Sequence, residues 1–212
     1  MPAGVERLFE ANSGTPWNTS CSLCVDVTME SHRMVRVLAI SGSLRGASSN
    51  SALVNAAAMR PPGGVHVSVF AGLGRIPPFN PDLDTDHPPA AVLELRAALG
   101  AADAVLISSP EYAHGVSGVL KNALDWLVAS GELIDKPIAV INTSSRATHA
   151  HASLLETLTT MSGRVIADAS ITIGLDGRAL KAKDIAADRS LSMVLTSALD
   201  VLARSTRTGS TA

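Results

Sequence analysis

The stretch Met34-Val35-Arg36-Val37-Leu38-Ala39-Ile40 runs directly into Ser41-Gly42-Ser43-Leu44-Arg45-Gly46-Ala47-Ser48-Ser49-Asn50, and its reading decides the fold. A continuous apolar run of strand length gives way to a turn of small residues, then to a helical pattern over Ser49–Met59. Continuous rather than alternating apolar character is how a strand covered by helices on both faces reads. The same alternation recurs along the chain. Strands are expected at Val35–Ile40, Val65–Phe70, Ala104–Ser108, Ile138–Asn142 and Ser170–Ile173. Helices are expected at Ser49–Met59, Pro89–Leu99, Val116–Val128, Ala147–Met161 and Ala182–Ala203. Five β-α units in this order predict the α/β class, with a doubly wound parallel sheet of five strands in three layers.

Composition agrees with one such domain plus an extension. The chain has 212 residues, 46% of them hydrophobic and 17% charged, enough apolar material for a sizeable core. Residues 1–33 differ in composition and lack periodicity, and they read as a disordered or inert N-terminal extension. Two readings of this segment are open: a translation start at Met34, or Met29, with what precedes it an artefact of start-site choice, and a genuine disordered arm that helps the protein oligomerise. The domain is expected over 34–205, with a flexible tail over 206–212. A net charge of −2 gives no footprint for nucleic acid or an anionic membrane. No apolar run nears the ~18–20 residues of a membrane-spanning helix. With no signal-peptide pattern either, a cytoplasmic protein is expected. Cys21 and Cys24 are the only cysteines. No second pair completes a zinc site and no strand precedes them, so they read as incidental, and no metal site is expected.

In open parallel sheets, ligands bind beyond the carboxyl ends of the strands, at the point where the strand order reverses. Three loops therefore carry the functional reading. The first, Ser41–Asn50, offers hydroxyls, an amide, Arg45 and a helix N-terminus, a combination suited to a phosphate dianion. It is neither a dinucleotide fingerprint nor a P-loop, since the required Gly and Gly-Lys positions are missing. Ser48 or Ser49 also reads as an ordinary helix cap. The second loop holds Pro110, Glu111, Tyr112, Ala113 and His114. Tyr112 is placed either to pack on a planar ring or to cover the sheet edge. His114 suits a general acid or a packing role, and Glu111 reads as structural. The third loop, with Ser144, Ser145 and Arg146, opens another helix; helix capping competes there with contacts to a polar ring edge. No acid–base dyad or nucleophile elbow is present, and no catalytic side chain is assigned.

GSLRGASSN after the first strand, PPFNPDLD in the long loop and PEYAHGVSGVLKNALDW after the third strand resemble the NADPH-dependent FMN reductase family, which includes quinone, azo-dye and chromate reductases. The resemblance implies a flavodoxin-like sheet of order 2-1-3-4-5, bound FMN, and NADPH or NADH as co-substrate. It places Ser43, Arg45, Ser48 and Asn50, with Ser49 beside them, at the flavin phosphate. Pro110, Glu111 and Tyr112, with Ala113 and His114, would lie along the isoalloxazine ring, and Ser144–Arg146 would form the third flavin loop. It also implies a homodimer or homotetramer and a small-molecule electron acceptor, reached by a ping-pong mechanism. Three departures stand out: Ala113 where an Asn is frequent, Ser117 where a Pro is common, and a third loop without glycines. They keep open an alternative, a flavin-carrying electron-transfer or sensing module without pyridine-nucleotide turnover. The sequence places no ribose-reading acid or 2′-phosphate-binding Arg.

Overall fold

The computed structural model describes residues 33–175 and 178–207. The expected extension up to residue 32, its Cys21–Cys24 pair and the tail beyond 207 lie outside the described residues. Strands β1 (Val35–Ser41), β2 (Val65–Val69), β3 (Ala104–Ser108), β4 (Pro137–Val140) and β5 (Arg164–Val165) form one all-parallel sheet. Their order is β2-β1-β3-β4-β5. The helices are α1 (Ser49–Met59), α2 (Ala90–Ala101), α3 (Gly118–Asp125), α4 (Thr148–Thr160), α5 (Ala182–Ala187) and α6 (Arg189–Ser205).

The continuous apolar strands serve two cores at once, because successive side chains point to opposite faces. Val37, Ala39, Ala104, Leu106, Ala139 and Ile141 pack with Leu53 and Val54 of α1, Ile185 of α5 and Leu199 of α6. Leu38, Ile40, Val105, Ile107, Ile138 and Val140 pack with Leu95 of α2, Leu120 of α3 and Leu154 of α4. Each fully buried Leu or Ile contributes about 1.5–3 kcal/mol, so the two layers fix the sheet and hence the position of its loops.

Three elements depart from the expected pattern. The fifth strand is broken. Arg164–Val165 pairs with Pro137–Ile138, after which a 3-10 turn over Ala167–Ala169 leaves the ladder. There the Ser170 hydroxyl, rather than a backbone carbonyl, accepts the Val140 N–H at 3.0 Å. The stretch Ser170–Ile173, expected as the strand itself, rejoins the edge only at Thr172, opposite Asn142. The C-terminal helix is split at Asp188, whose carboxylate accepts the N–H groups of Ser190 and Leu191 at 3.0 Å each and starts α6. Finally, Val116 belongs to a hairpin rather than to α3, which begins at Gly118.

The Pro- and Asp-rich stretch after β2 is ordered by α3. Asn122 accepts the Phe79 N–H at 2.7 Å and donates to the Pro77 carbonyl at 2.9 Å. The fully buried Trp126 donates its indole N–H to the same carbonyl, and Phe79 meets its ring edge-on at 5.1 Å. The second and third motifs of the sequence thus occur together because one clamps the other.

Candidate functional site

The loops after β1, β3 and β4 converge on one cavity of about 540 Å³ at the carboxyl edge of the sheet. This lies beside the β1/β3 pair, where the chain changes direction across the sheet.

The first loop folds on its own hydroxyls. Ser41 Oγ accepts the Ser43 N–H at 3.2 Å, and Ser43 Oγ accepts the Arg45 N–H at 3.3 Å. Ser48 caps α1 by accepting the Ser51 N–H at 3.3 Å. Ser49 and Asn50 then stand at the first helical positions, where N–H groups have no carbonyl behind them in the helix. With the helix dipole, they make a local preference for an anion. Gly42 allows the loop to sit close to its neighbours: a Cβ there would fall 2.6 Å from Ser109 Oγ. The buried Ser117 hydroxyl donates to the Gly42 carbonyl at 2.6 Å, a bond that a proline at this position could not make.

Asn50 joins all three loops. Its Oδ1 accepts from Ser108 at the end of β3 at 2.8 Å and from Thr143 after β4 at 3.2 Å. Both hydroxyls are buried, so this bifurcated acceptor removes two polar groups from an otherwise costly environment.

The second loop is a tight hairpin, Glu111–Tyr112 paired with Gly115–Val116. Its two central residues, Ala113 and His114, have φ of 50° and 59°. That is the left-handed geometry a two-residue hairpin turn demands, held here by two residues with side chains. Tyr112 is 57% exposed on this wall. His114 Nδ1 lies 3.1 Å from Glu111 Oε1, and its ring meets His149 edge-on at 4.3 Å.

The third loop is braced from outside. Asn142 accepts the Ser144 N–H at 3.1 Å and donates to the Ala147 carbonyl at 2.9 Å. The cap position of α4 is Ala147, which has no side-chain acceptor. Glu111 supplies one instead, its Oε2 accepting the Ala150 N–H at 2.9 Å. That N–H, and after it the imidazoles of His114 and His149, hold the Glu111 carboxyl below the usual carboxylate range against the opposing effect of burial.

Twelve of the thirteen residues singled out in the sequence line this cavity: Ser43, Arg45, Ser48, Ser49, Asn50, Pro110, Glu111, Tyr112, Ala113, His114, Ser144 and Arg146. Ser145 does not; it is exposed, one position along the loop. Ser109, Asn142, Thr143 and Leu175 are wall residues that the sequence reading did not assign. Asn142 and Thr143 were signalled by polar residues ending an apolar strand. Leu175 carried no such signal, since it arrives through the Leu175 N–H bond to the Thr143 carbonyl at 2.9 Å. Among the described residues, no group of three His, Cys, Asp or Glu side chains is arranged to hold a metal ion. No helix among them is long and apolar enough to cross a membrane.

A parallel 2-1-3-4-5 sheet with a polar cavity at its switch point defines a flavodoxin-like α/β protein. The family model described as NADPH-dependent FMN reductase matches residues 35–177, and the chain belongs to that family. It is 40% identical over 113 residues to an NAD(P)H-dependent FMN reductase of Pseudomonas aeruginosa, covering 52% of this chain and 60% of that protein. It is 34% identical over 116 residues to a quinone reductase of Escherichia coli, again covering 52% and 60%. The chain thus spans about three fifths of the length of these relatives. Among solved structures, it resembles FerB, a flavoenzyme NAD(P)H:(acceptor) oxidoreductase from Paracoccus denitrificans. The TM-score there is 0.65 at 27% identity, covering 82% of this chain and 98% of that one.

Proposed function

We propose that this protein is an NAD(P)H-dependent FMN reductase that passes electrons on to a small-molecule acceptor. The acceptor class comprises free flavin, a quinone, an azo compound or a metal oxyanion. The observation that carries the reading is the meeting of three separate loops at one cavity, lined by Arg45 and the start of α1 as well as by the Pro110–His114 segment. Its volume lies within the range of about 300–1,000 Å³ common to cofactor sites.

The donor set fits FMN. The opening of α1, with Ser43, Arg45, Ser48 and Asn50, would hold the phosphate. The Pro110–His114 segment would lie along the ring, and Ser144 and Arg146 would border its polar edge. Bound there, FMN would supply two-electron redox chemistry between the nicotinamide nucleotide and the acceptor. Glu111 is a positioning group in this reading. Both carboxylate oxygens are engaged, by Ala150 and His114, and its lowered pKa keeps it from offering a proton near neutral pH. Ala113 and His114 keep the ring wall open by turning the chain within two residues. Tyr112, exposed on the hairpin, is available to lie against the ring, and the reading includes ping-pong exchange of donor and acceptor. The reading includes a cytoplasmic homodimer or homotetramer, and the exposed Val128 and Ile134 beyond α3 are apolar surface that would support such assembly.

The test is an anaerobic titration of the FMN-loaded protein with NADPH and with NADH, following the oxidised flavin band. Bleaching near one equivalent is expected. Tight FMN binding without bleaching by either nucleotide would make the protein a carrier or sensor. Failure to bind FMN would remove the three-loop assignment itself.

A further inference from the structure

The hairpin wall of the cavity carries a group whose chemistry the reading above does not use. Among the described lining residues His114 is the one imidazole, and imidazole is the side-chain type that exchanges protons near neutral pH. The other polar groups on the lining are poor proton donors. The guanidinium groups of Arg45 and Arg146 keep their charge, and hydroxyls such as those of Tyr112 and Ser43 hold their protons far more firmly than an imidazolium does. The Glu111 carboxyl, held below the usual carboxylate range first by the Ala150 N–H and then by the two imidazoles, has no proton to give.

The His114 ring is also held in one orientation. An ionised carboxylate only accepts hydrogen bonds, so the 3.1 Å contact with Glu111 Oε1 places the proton of a neutral ring on Nδ1. Glu111 is itself fixed, because its other oxygen accepts the Ala150 N–H at 2.9 Å at the start of α4. His149, in the first turn of that helix, meets the His114 ring edge-on at 4.3 Å and restricts its rotation. The His114 side chain nevertheless stays 74% exposed, and its Nε2 has no hydrogen-bond partner among the described residues. One ring nitrogen is anchored and the other is open to a bound molecule.

We propose that His114 is the proton donor to the electron acceptor, acting from Nε2, with Glu111 as the residue that positions its ring. The inference rests on the reductase reading and adds a catalytic side chain to it. Uptake of a hydride equivalent leaves a negative charge on an oxygen or nitrogen of the acceptor. A new O–H or N–H bond forms there as the Nε2–H bond of the imidazolium breaks, and the neutral ring regains its proton from water. The nicotinamide nucleotide is oxidised by two electrons and the acceptor is reduced by two. The acceptors served are those whose reduced form carries a new O–H or N–H bond.

The test compares two acceptors on FMN-loaded protein, wild type and His114→Gly. A water-soluble benzoquinone gains O–H bonds on reduction, whereas ferricyanide takes single electrons and gains no proton. Glycine suits the left-handed backbone at this position, so the hairpin should keep its shape. The ratio of quinone to ferricyanide kcat/KM should fall roughly 100-fold in the variant, the lower end of what general-acid catalysis supplies. Added imidazole should restore much of that ratio. A 15N-edited spectrum of FMN-loaded wild type should show neutral His114 protonated at Nδ1. Glu111→Gln should lose that preference, because its amide oxygen serves Ala150 and its NH2 then faces the ring. An unchanged ratio in His114→Gly, with NADPH still bleaching the flavin, would overturn this inference alone. So would a lowered ratio that imidazole fails to restore, which leaves His114 a packing role, and so would a neutral wild-type ring protonated at Nε2. Absence of bleaching by both NADPH and NADH would remove the reductase reading and this inference with it.

Discussion

Two helices open onto the same cavity, and they are started in opposite ways. Helix α1 is capped by Ser48, one residue before its first turn, within a loop that folds on its own serines. Helix α4 has Ala147 at the same position and relies on Glu111, which lies on another loop, 39 residues before the Ala150 whose N–H it accepts. One helix start is a local decision of the sequence. The other exists only once the sheet has brought the β3 and β4 loops together. The α1 side of the cavity is thus preorganised by neighbours in sequence, while the far wall is assembled by tertiary structure.

The most severe way to break this contrast is at Asn50, which belongs to α1 yet accepts hydrogen bonds from the other two loops. Asn50→Ala leaves two buried hydroxyls without their acceptor and should cost about 3 kcal/mol, measured by chemical denaturation. FMN affinity should fall with it. Ser48→Ala tests the local cap alone, with an expected loss of about 1 kcal/mol. Its effect on FMN should exceed any effect on the α4 side, as read by amide exchange at Ala150. Ala113→Gly acts in the other direction. It relieves a left-handed residue that has a side chain and should raise stability by about 0.5 kcal/mol in thermal melts. Glu111→Gln keeps an acceptor for Ala150 and should change neutral stability least. Its signature lies in the pH dependence. A carboxyl whose folded pKa is lowered adds stability above its unfolded pKa, and that contribution disappears as pH falls through the folded value. Wild type should therefore lose stability more steeply than Glu111→Gln below about pH 4, and parallel curves would remove Glu111 as the distant cap.

The same contrast explains what was legible in the sequence. Apolar runs located β1, β3 and the first part of the ladder, and Ser48 was readable as a cap because its partner lies three residues away. The break at Asp188 had a local signal too, an acid followed by Arg189-Ser190-Leu191, but the apolar periodicity running across it dominated the reading. The fifth strand was misplaced for a different reason. Ile171 and Ile173 have strand-like alternation, whereas Arg164–Val165 is too short to show any pattern. In the third loop, Ser144 is set by Asn142 and the helix start by Glu111, so the residues that shape it are not those that a helix-start pattern names. Ser117 illustrates the limit of motif comparison. Its hydroxyl sits at the position before α3, yet it is directed across the site to Gly42, a contact that only the fold creates.

The interrupted fifth strand has a consequence for how copies of this chain meet. A long, flat outer strand would present a row of unpaired N–H and C=O groups on which another chain could add a strand of its own. Here the border of the sheet is a two-residue pairing, a tight turn and a single rejoining bridge, with α6 packed near that turn. A foreign strand finds no continuous register on that side. The same irregularity that hid the strand from the sequence pattern guards this border against sheet-to-sheet aggregation, and assembly there would have to proceed through side chains.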